Sequence, residues 1–240
     1  MHERSIAMVD DTAHLHNANL EYEVKSFSTC GVILAGGRSS RMNGEMKSLL
    51  PVAGLPMIEI IAMQMRTLCQ RVAAVAAYEF QAEKLQEQGL TVIMDEAPDN
   101  GPLAAFHTAL QHVEEELIWL SACDMPLVDA HVAKWMIGRL MASGASAVIP
   151  QIGGKLHPLQ AMYRKQRCLA VTSSLIAAGQ RSMMGMLQQL ELLIIDEEEF
   201  IEAGFNPQFV CNINTVDEYN RLLHDNYEAA SAIPIMREVH

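Results

Sequence analysis

The sequence predicts an α/β fold: one domain built on a mostly parallel, twisted sheet with helices on both faces. Three observations lead there. From Gly31 onward, short apolar runs alternate with stretches of helical spacing, the rhythm of strands joined by crossover helices. Runs such as Leu117-Ile118-Trp119-Leu120 are apolar without alternation, as strands buried on both faces are. Finally, 240 residues with 50% hydrophobic content suffice for one large core but leave little for a second independent domain.

Residues 1–29 read as an extension ahead of a domain spanning 30–223, with a loosely held tail over 224–240. Charge interrupts every apolar piece of the extension, so it lacks a signal-peptide core. His14 and His16 flank Leu15 with no second group of ligands nearby, and read as part of a polar arm.

The first strand is Val32–Ala35, and a helix follows from Pro56 with Met57, Ile60, Ile61, Gln64 and Leu68 in mixed apolar spacing. Arg71–Ala77 gives a strand, Phe80–Gln88 a helix that stops before Gly89, and Leu90–Met94 a third strand in βαβ order. Pro98, Asn100 and Gly101 make the next stretch a turn, and Pro102 starts the helix carrying Phe106, Ala109 and Leu110. After the apolar strand ending at Ala122 come a helix over 129–141, a strand over 145–150 and a hairpin turn at Ile152-Gly153-Gly154-Lys155. Helices over 165–178 and 182–189 and a strand over 190–195 complete the alternation. The acidic run 196–199 reads as a solvated surface, while Thr215 and Glu218 have the spacing of a capping box.

Charge narrows the functions. Twenty-nine acidic residues against 17 basic ones give a formal net charge of −12. Such a surface argues against a nucleic-acid polymer or an anionic membrane as partner, since both demand a broad basic face. A small phosphorylated ligand stays compatible where local cations or a metal ion offset the repulsion. Five dispersed cysteines, odd in number and without a C-x-x-C pair, argue against a disulfide framework and for a cytoplasmic protein.

Candidate chemistry concentrates at strand ends. After the first strand, Leu34-Ala35-Gly36-Gly37 turns into a loop with Arg38, Arg41 and Lys47, cations gathered in an acidic chain. Gly36 and Gly37 allow backbone N–H groups to close on a phosphate. The Gly-Lys-Ser/Thr ending of a Walker loop is missing, and the spacing is not G-x-G-x-x-G. Asp124 ends the apolar run at 117–122, where ligands bind in open α/β sheets. It is either a turn residue beside Pro126 or a hard oxygen ligand for Mg²⁺, and the phosphate loop favours the metal. Cys123 has no histidine adjacent in sequence to make it a nucleophile. Asn212 and Asn214 occupy alternate positions and are expected to point the same way; His157 is either a polar strand-start residue or part of a site.

Taken whole, the run L-A-G-G-x-S-x-R-M-x-G-x-x-K-x-L-L-P-x-x-G-x-P from Leu34 to Pro56 resembles the signature loop of Rossmann-like nucleotidyltransferases, specifically the molybdenum cofactor guanylyltransferases and their cytidylyltransferase relatives. The C-D-x-P string at Cys123–Pro126 resembles their metal motif, Asp95 to Ala105 their G-P-L-A-G nucleotide segment, and Asn212 to Asp217 their closing N-x-N-T segment. The resemblance covers 31–223 and implies transfer of GMP from GTP to molybdopterin-bound cofactor with Mg²⁺. It assigns Arg41, Lys47 and Asp124 to catalysis, with Asp124 holding the metal. Leu34, Ala35, Gly36, Gly37, Lys47, Asp95, Gly101 and Asp124 fall to the nucleotide, and His157, Asn212 and Asn214 to the acceptor side. It further implies a protein that delivers or receives the cofactor. Met46 stands where the family has aspartate, Ala73–Ala77 lacks its base-contacting asparagine, and Leu50–Gly54 is closer to the cytidylyl relatives. CTP transfer and non-catalytic cofactor delivery are the alternatives.

Overall fold

The computed structural model describes residues 27–36, 41–42 and 45–229, with backbone alone at 41, 42, 45, 222 and 224–229. His14, His16, Gly37 and Arg38 lie outside the described residues. In chain order the elements begin with β1 (Thr29–Leu34), a small hairpin of β2 (Arg41–Met42) and β3 (Glu45–Met46), and a 3₁₀ turn at Lys47–Leu49. A second hairpin of β4 (Pro51–Val52) and β5 (Leu55–Pro56) precedes α1 (Met57–Arg66), β6 (Arg71–Ala76), α2 (Glu79–Glu87) and β7 (Thr91–Met94). Next come α3 (Pro102–His112), β8 (Leu117–Ala122), α4 (Ala130–Ser143), β9 (Ala147–Ile152), β10 (Lys155–Leu156) and β11 (Gln160–Arg164). The chain continues with α5 (Lys165–Ala177), α6 (Met183–Leu187), β12 (Leu192–Asp196), α7 (Glu197–Glu202), a 3₁₀ turn at Pro207–Val210, and α8 (Val216–Ala229).

Eight strands form the main sheet in the order β10-β9-β11-β8-β1-β6-β7, with β12 on β9. The pairs β1–β6, β1–β8, β6–β7 and β9–β12 are parallel, while β11 runs antiparallel between β8 and β9 and β10 folds back on β9. Side chains alternate between two cores, as the pleat requires. Ile33, Ala74, Ala76 and Trp119 face α1, α2 and α4; Val32, Leu34, Val75 and Leu120 face α3, α5 and α6. Helix α1 buries Ile58, Ile61, Ala62 and Met65 at i, i+3, i+4 and i+7, so this one stripe welds it to β1 and β6. Truncating Ile61 to alanine there costs about 2–5 kcal/mol by the usual cavity rule.

Four details depart from the sequence-based expectations. Packing against the domain is already in place at Phe27, ahead of the expected boundary at 30: Phe27 packs on the core, Ser28 O accepts from Leu117 N, and β-branched Thr29 pairs with Leu117. At the other end α8 runs to Ala229, past the expected tail boundary at 224, and residues 230–240 lie outside the described set. The acidic run is no idle surface. Asp196 caps α7 by accepting from Glu199 N at 3.0 Å, Glu199 pairs with Arg139 at 2.7 Å, and Glu197 accepts from Gly153 N at 2.9 Å. Acids belong in a first helical turn, against the positive end of its dipole. Fourth, 211–214 is irregular backbone and not strand, and of its two asparagines only Asn214 reaches the Lys47 ammonium.

Candidate active site

The C-terminal ends of β8, β1, β6 and β7 meet along one edge of the sheet, where a cleft of about 750 Å³ opens. Asp124 stands two residues beyond β8 because Cys123 N still donates to Leu34 O (3.1 Å) before the chain turns, with Met125 N donating to Ala122 O (3.2 Å). Lys47 enters from the 3₁₀ turn, only 6% exposed. Its Nζ donates to Asp124 Oδ2 at 2.9 Å and to Asn214 Oδ1 at 3.0 Å, so one ammonium joins three distant segments of chain. Ile213, buried beside them, fixes Asn214 by donating its N–H to Asp124 O at 2.8 Å.

Helix α8 secures the same corner. Glu218 Oε2 accepts from the backbone N–H of Asn214 (2.6 Å) and Thr215 (2.9 Å), and Glu218 N donates to Thr215 Oγ1 (3.1 Å), the capping box expected from sequence. Those backbone donors hold the Glu218 carboxyl below its ordinary range.

Along the first loop, Leu34 and Gly36 line the cleft. A Cβ on Gly36 would sit 2.9 Å from both the Cβ and the N of Ala77, so only glycine lets the loop pass that close to β6. Ala35 does not fill its assigned role: it is fully buried, and its N–H donates to Val75 O at 2.9 Å, leaving no donor for a phosphate. Of Arg41 only the backbone is described, opposite Met46 in the β2–β3 hairpin.

At the far end, Asp95 and Gly101 both line the cleft. Asp95 Oδ1 accepts from Ala97 N (3.0 Å) and Thr108 Oγ1 (3.3 Å), which orients the carboxyl. Gly101 takes φ 83° at the N-cap of α3, a backbone conformation that favours glycine, and the helix N-terminus with Pro102 lies against the cleft. Two candidates fall elsewhere. His157 bonds inside the β9–β10 hairpin, Nε2 to Ile152 O at 3.4 Å, and burial lowers its pKa; it does not line the cleft. Asn212 is exposed and outside the cleft as well.

Three lining groups were missed. Arg181, in the link between α5 and α6, and Asn100 both line the cleft, and so does Asp99, whose carboxyl accepts from the Tyr78 hydroxyl. Cys123 also lines the cleft, but burial and the neighbouring Asp124 charge push its thiol up to about 12, so it stays protonated. No group of three or more metal-ligating His, Cys, Asp or Glu side chains exists among the described residues.

A parallel α/β sheet whose strand ends carry a glycine turn, a buried lysine and a carboxylate defines a nucleotide-handling protein of the open-sheet class. The chain belongs to the MobA-like NTP transferase domain family, whose model matches residues 31–192. It is 31% identical over 191 residues to a probable molybdenum cofactor guanylyltransferase of Carboxydothermus hydrogenoformans, covering 80% of this chain and 93% of that one. A probable molybdenum cofactor guanylyltransferase of Clostridium perfringens is 30% identical over 80% of this chain and 94% of its own length. The crystal structure of molybdopterin-guanine dinucleotide biosynthesis protein A from Archaeoglobus fulgidus superposes with a TM-score of 0.71 at 25% identity, covering 83% of this chain and 99% of that one.

Proposed function

We propose that the protein transfers GMP from GTP to the phosphate of molybdopterin-bound cofactor, forming the guanine dinucleotide cofactor and releasing pyrophosphate. The observation that carries this reading is Lys47 bridging Asp124 and Asn214 at the ends of the central strands, in a chain of this family. A phosphate oxygen of the acceptor bonds to the α-phosphorus of GTP as the bond from that phosphorus to the bridging oxygen breaks. The electron pair leaves with pyrophosphate. Attack by an anion on an anion needs charge neutralisation and alignment, not a protein nucleophile.

Lys47 supplies a fixed positive charge, desolvated and held by two oxygens. Gly36 lets the triphosphate approach the backbone, Arg181 adds a further cation at the cleft, and Arg41 belongs to the proposed catalytic set on the strength of its place in the sequence motif. The Asp124 carboxylate and Asn214 amide oxygen are hard donors already converging on one cation, and they fit Mg²⁺, which takes one or two carboxylates plus substrate phosphates. When bound, the ion neutralises charge on the reacting phosphates. Asp95 faces the nucleoside, and the acceptor enters past Asn214. A cytoplasmic setting suits five free cysteines, and a protein that hands over or receives the cofactor belongs to the same proposal.

Pyrophosphate release with Mg²⁺ and molybdopterin-type acceptor, with GTP, CTP, ATP and UTP offered singly, tests it. Turnover confined to GTP is the expected result. Turnover with CTP in its place moves the protein to the sister activity, and nucleotide binding without turnover makes it a delivery protein.

A further inference from the structure

The cleft crosses the ends of four adjacent strands, β8, β1, β6 and β7. At about 4.8 Å per strand this is about 14 Å from one side to the other. Lys47, Asp124 and Asn214 mark the β8 side, so the phosphates lie there and the nucleoside extends toward the loop that follows β7. That loop offers two carboxylates to the cleft, Asp95 and Asp99.

Asp99 is held in an unusual way. Its backbone takes φ 68°, a left-handed conformation uncommon outside glycine. The Tyr78 hydroxyl, reaching from the loop after β6, lies 2.9 Å from both its carboxylate oxygens and donates to them. Tyr78 is itself braced. Its ring stacks on Phe80 at 5.8 Å, and the buried Gln81 Oε1 accepts from the N–H of Ala77 (3.0 Å) and Tyr78 (3.2 Å). Two loops are thereby clasped across the nucleoside end, at the expense of a strained backbone. Strain of this kind persists where the surroundings over-determine it, most often at ligand sites.

Guanine has a donor-rich edge, one N1–H and two N2–H hydrogens, whereas cytosine and adenine each present a single amino group beside acceptors. A pair of carboxylates complements the first and repels the acceptors of the others. We propose that Asp99, aimed by Tyr78, is a second specificity-determining acceptor for guanine, beside Asp95. The inference rests on the guanylyl reading above. Tyr78 is the positioning residue and Asp99 the one that touches the base.

The test is equilibrium binding of GTP, ITP, which lacks the 2-amino group, and 2′-deoxy-GTP to the wild type, Asp99→Asn and Tyr78→Phe, without acceptor. Asparagine tolerates the left-handed backbone and phenylalanine keeps the stack, so both variants fold, with thermal unfolding as the check. Wild type is expected to bind GTP more tightly than ITP. Asp99→Asn should lose about 10- to 100-fold in GTP affinity, the usual worth of a charged hydrogen bond, with ITP changed little. Tyr78→Phe should lose a smaller part of the same preference. Equal losses for GTP and ITP, spared in the deoxynucleotide, overturn the proposal by assigning Asp99 to the ribose. Unchanged affinities in Asp99→Asn overturn it too. A wild type that binds CTP instead of GTP overturns the guanylyl reading, and this inference with it.

Discussion

Replacing Lys47 with methionine tests the site most directly, because it removes one charge and keeps the stem's bulk. The lysine side chain is 7% exposed and its partner Asp124 21%, so the pair is largely withdrawn from water. Stripping one partner from a buried pair costs about 3–5 kcal/mol, and the residual exposure of Asp124 places this case near 3. For a domain of this size that is a fall of about 6–12 °C in Tm. Asn214 loses its donor in the same step, which frees the segment closing the cleft. Turnover should drop about 10²–10³-fold, the usual cost of one preorganised charge at a transferring phosphoryl group. Differential scanning calorimetry and pyrophosphate release read the two effects, and Asp124→Asn completes a double-mutant cycle. In the double variant the uncompensated charge is gone, so its Tm should fall by clearly less than the sum of the single losses. Strict additivity, or a Lys47→Met protein that melts and turns over like wild type, refutes the reasoning.

Gly36→Ala should destabilise by about 1–3 kcal/mol and weaken nucleotide binding, since the new Cβ meets Ala77 at 2.9 Å; Ala77→Gly in the same chain should restore part of both, and calorimetry with GTP titration checks it. Native thiol labelling should modify the exposed Cys211 first, with Cys30, Cys69 and Cys168 silent; mass mapping of alkylated peptides that found Cys30 or Cys168 modified in the folded protein would contradict their burial and thiol pKa values near 12. Stability should decline as pH falls from 7 to 5.5. Burial lowers the pKa of His107, so below the unfolded value near 6.5 the unfolded chain binds a proton that the folded one refuses. Melting curves of His107→Gln should show a shallower pH slope than wild type. Removing the Glu218 carboxylate by Glu218→Ala frees the N–H groups of Asn214 and Thr215, and should raise the KM for GTP before it affects the global fold.

How legible was this in the sequence? Strands β1, β6 and β8 were, because an apolar run bounded by turn residues admits few alternatives, and Asp124 was placed by the same logic at a strand end. Lys47 was legible through the spacing of its loop. Its coordination to Asn214 was not, for those residues are 167 positions apart and only the fold joins them. Ala35 reads as the strand's last residue and also as a nucleotide contact, and the two do not combine, because the strand's bonding to β6 takes its N–H, which donates to Val75 O. His157 reads either as a strand-start residue or as a site residue, and only the fold shows that the hairpin turns its ring onto its own backbone. Arg181 and Tyr78 carry no local pattern. A lone arginine in a helix link, or a tyrosine before a helix, becomes part of a site only when another strand end is set beside it.

The closing segment shows why sheet order matters to function here. Residues 211–214 have no strand partner, and Asn214 is held by one backbone bond from Ile213 to Asp124 O, by Lys47, and by Glu218 from the following helix. Tyr219 adds a hydroxyl bond to Pro51 O in the β4–β5 hairpin, and Ile213 packs with Leu50, Val52 and Met57. Of these ties, the Ile213 bond reaches Asp124, and the Tyr219 bond and the Ile213 packing reach the β4–β5 hairpin and its flanks just beyond Lys47. Phosphates drawing on the Lys47 charge would therefore compete with Asn214 for the same ammonium, and the segment that releases it carries the N-terminus of α8. In the proposed reaction, nucleotide occupancy would thus bear on the seating of α8 through the Lys47–Asn214 bond.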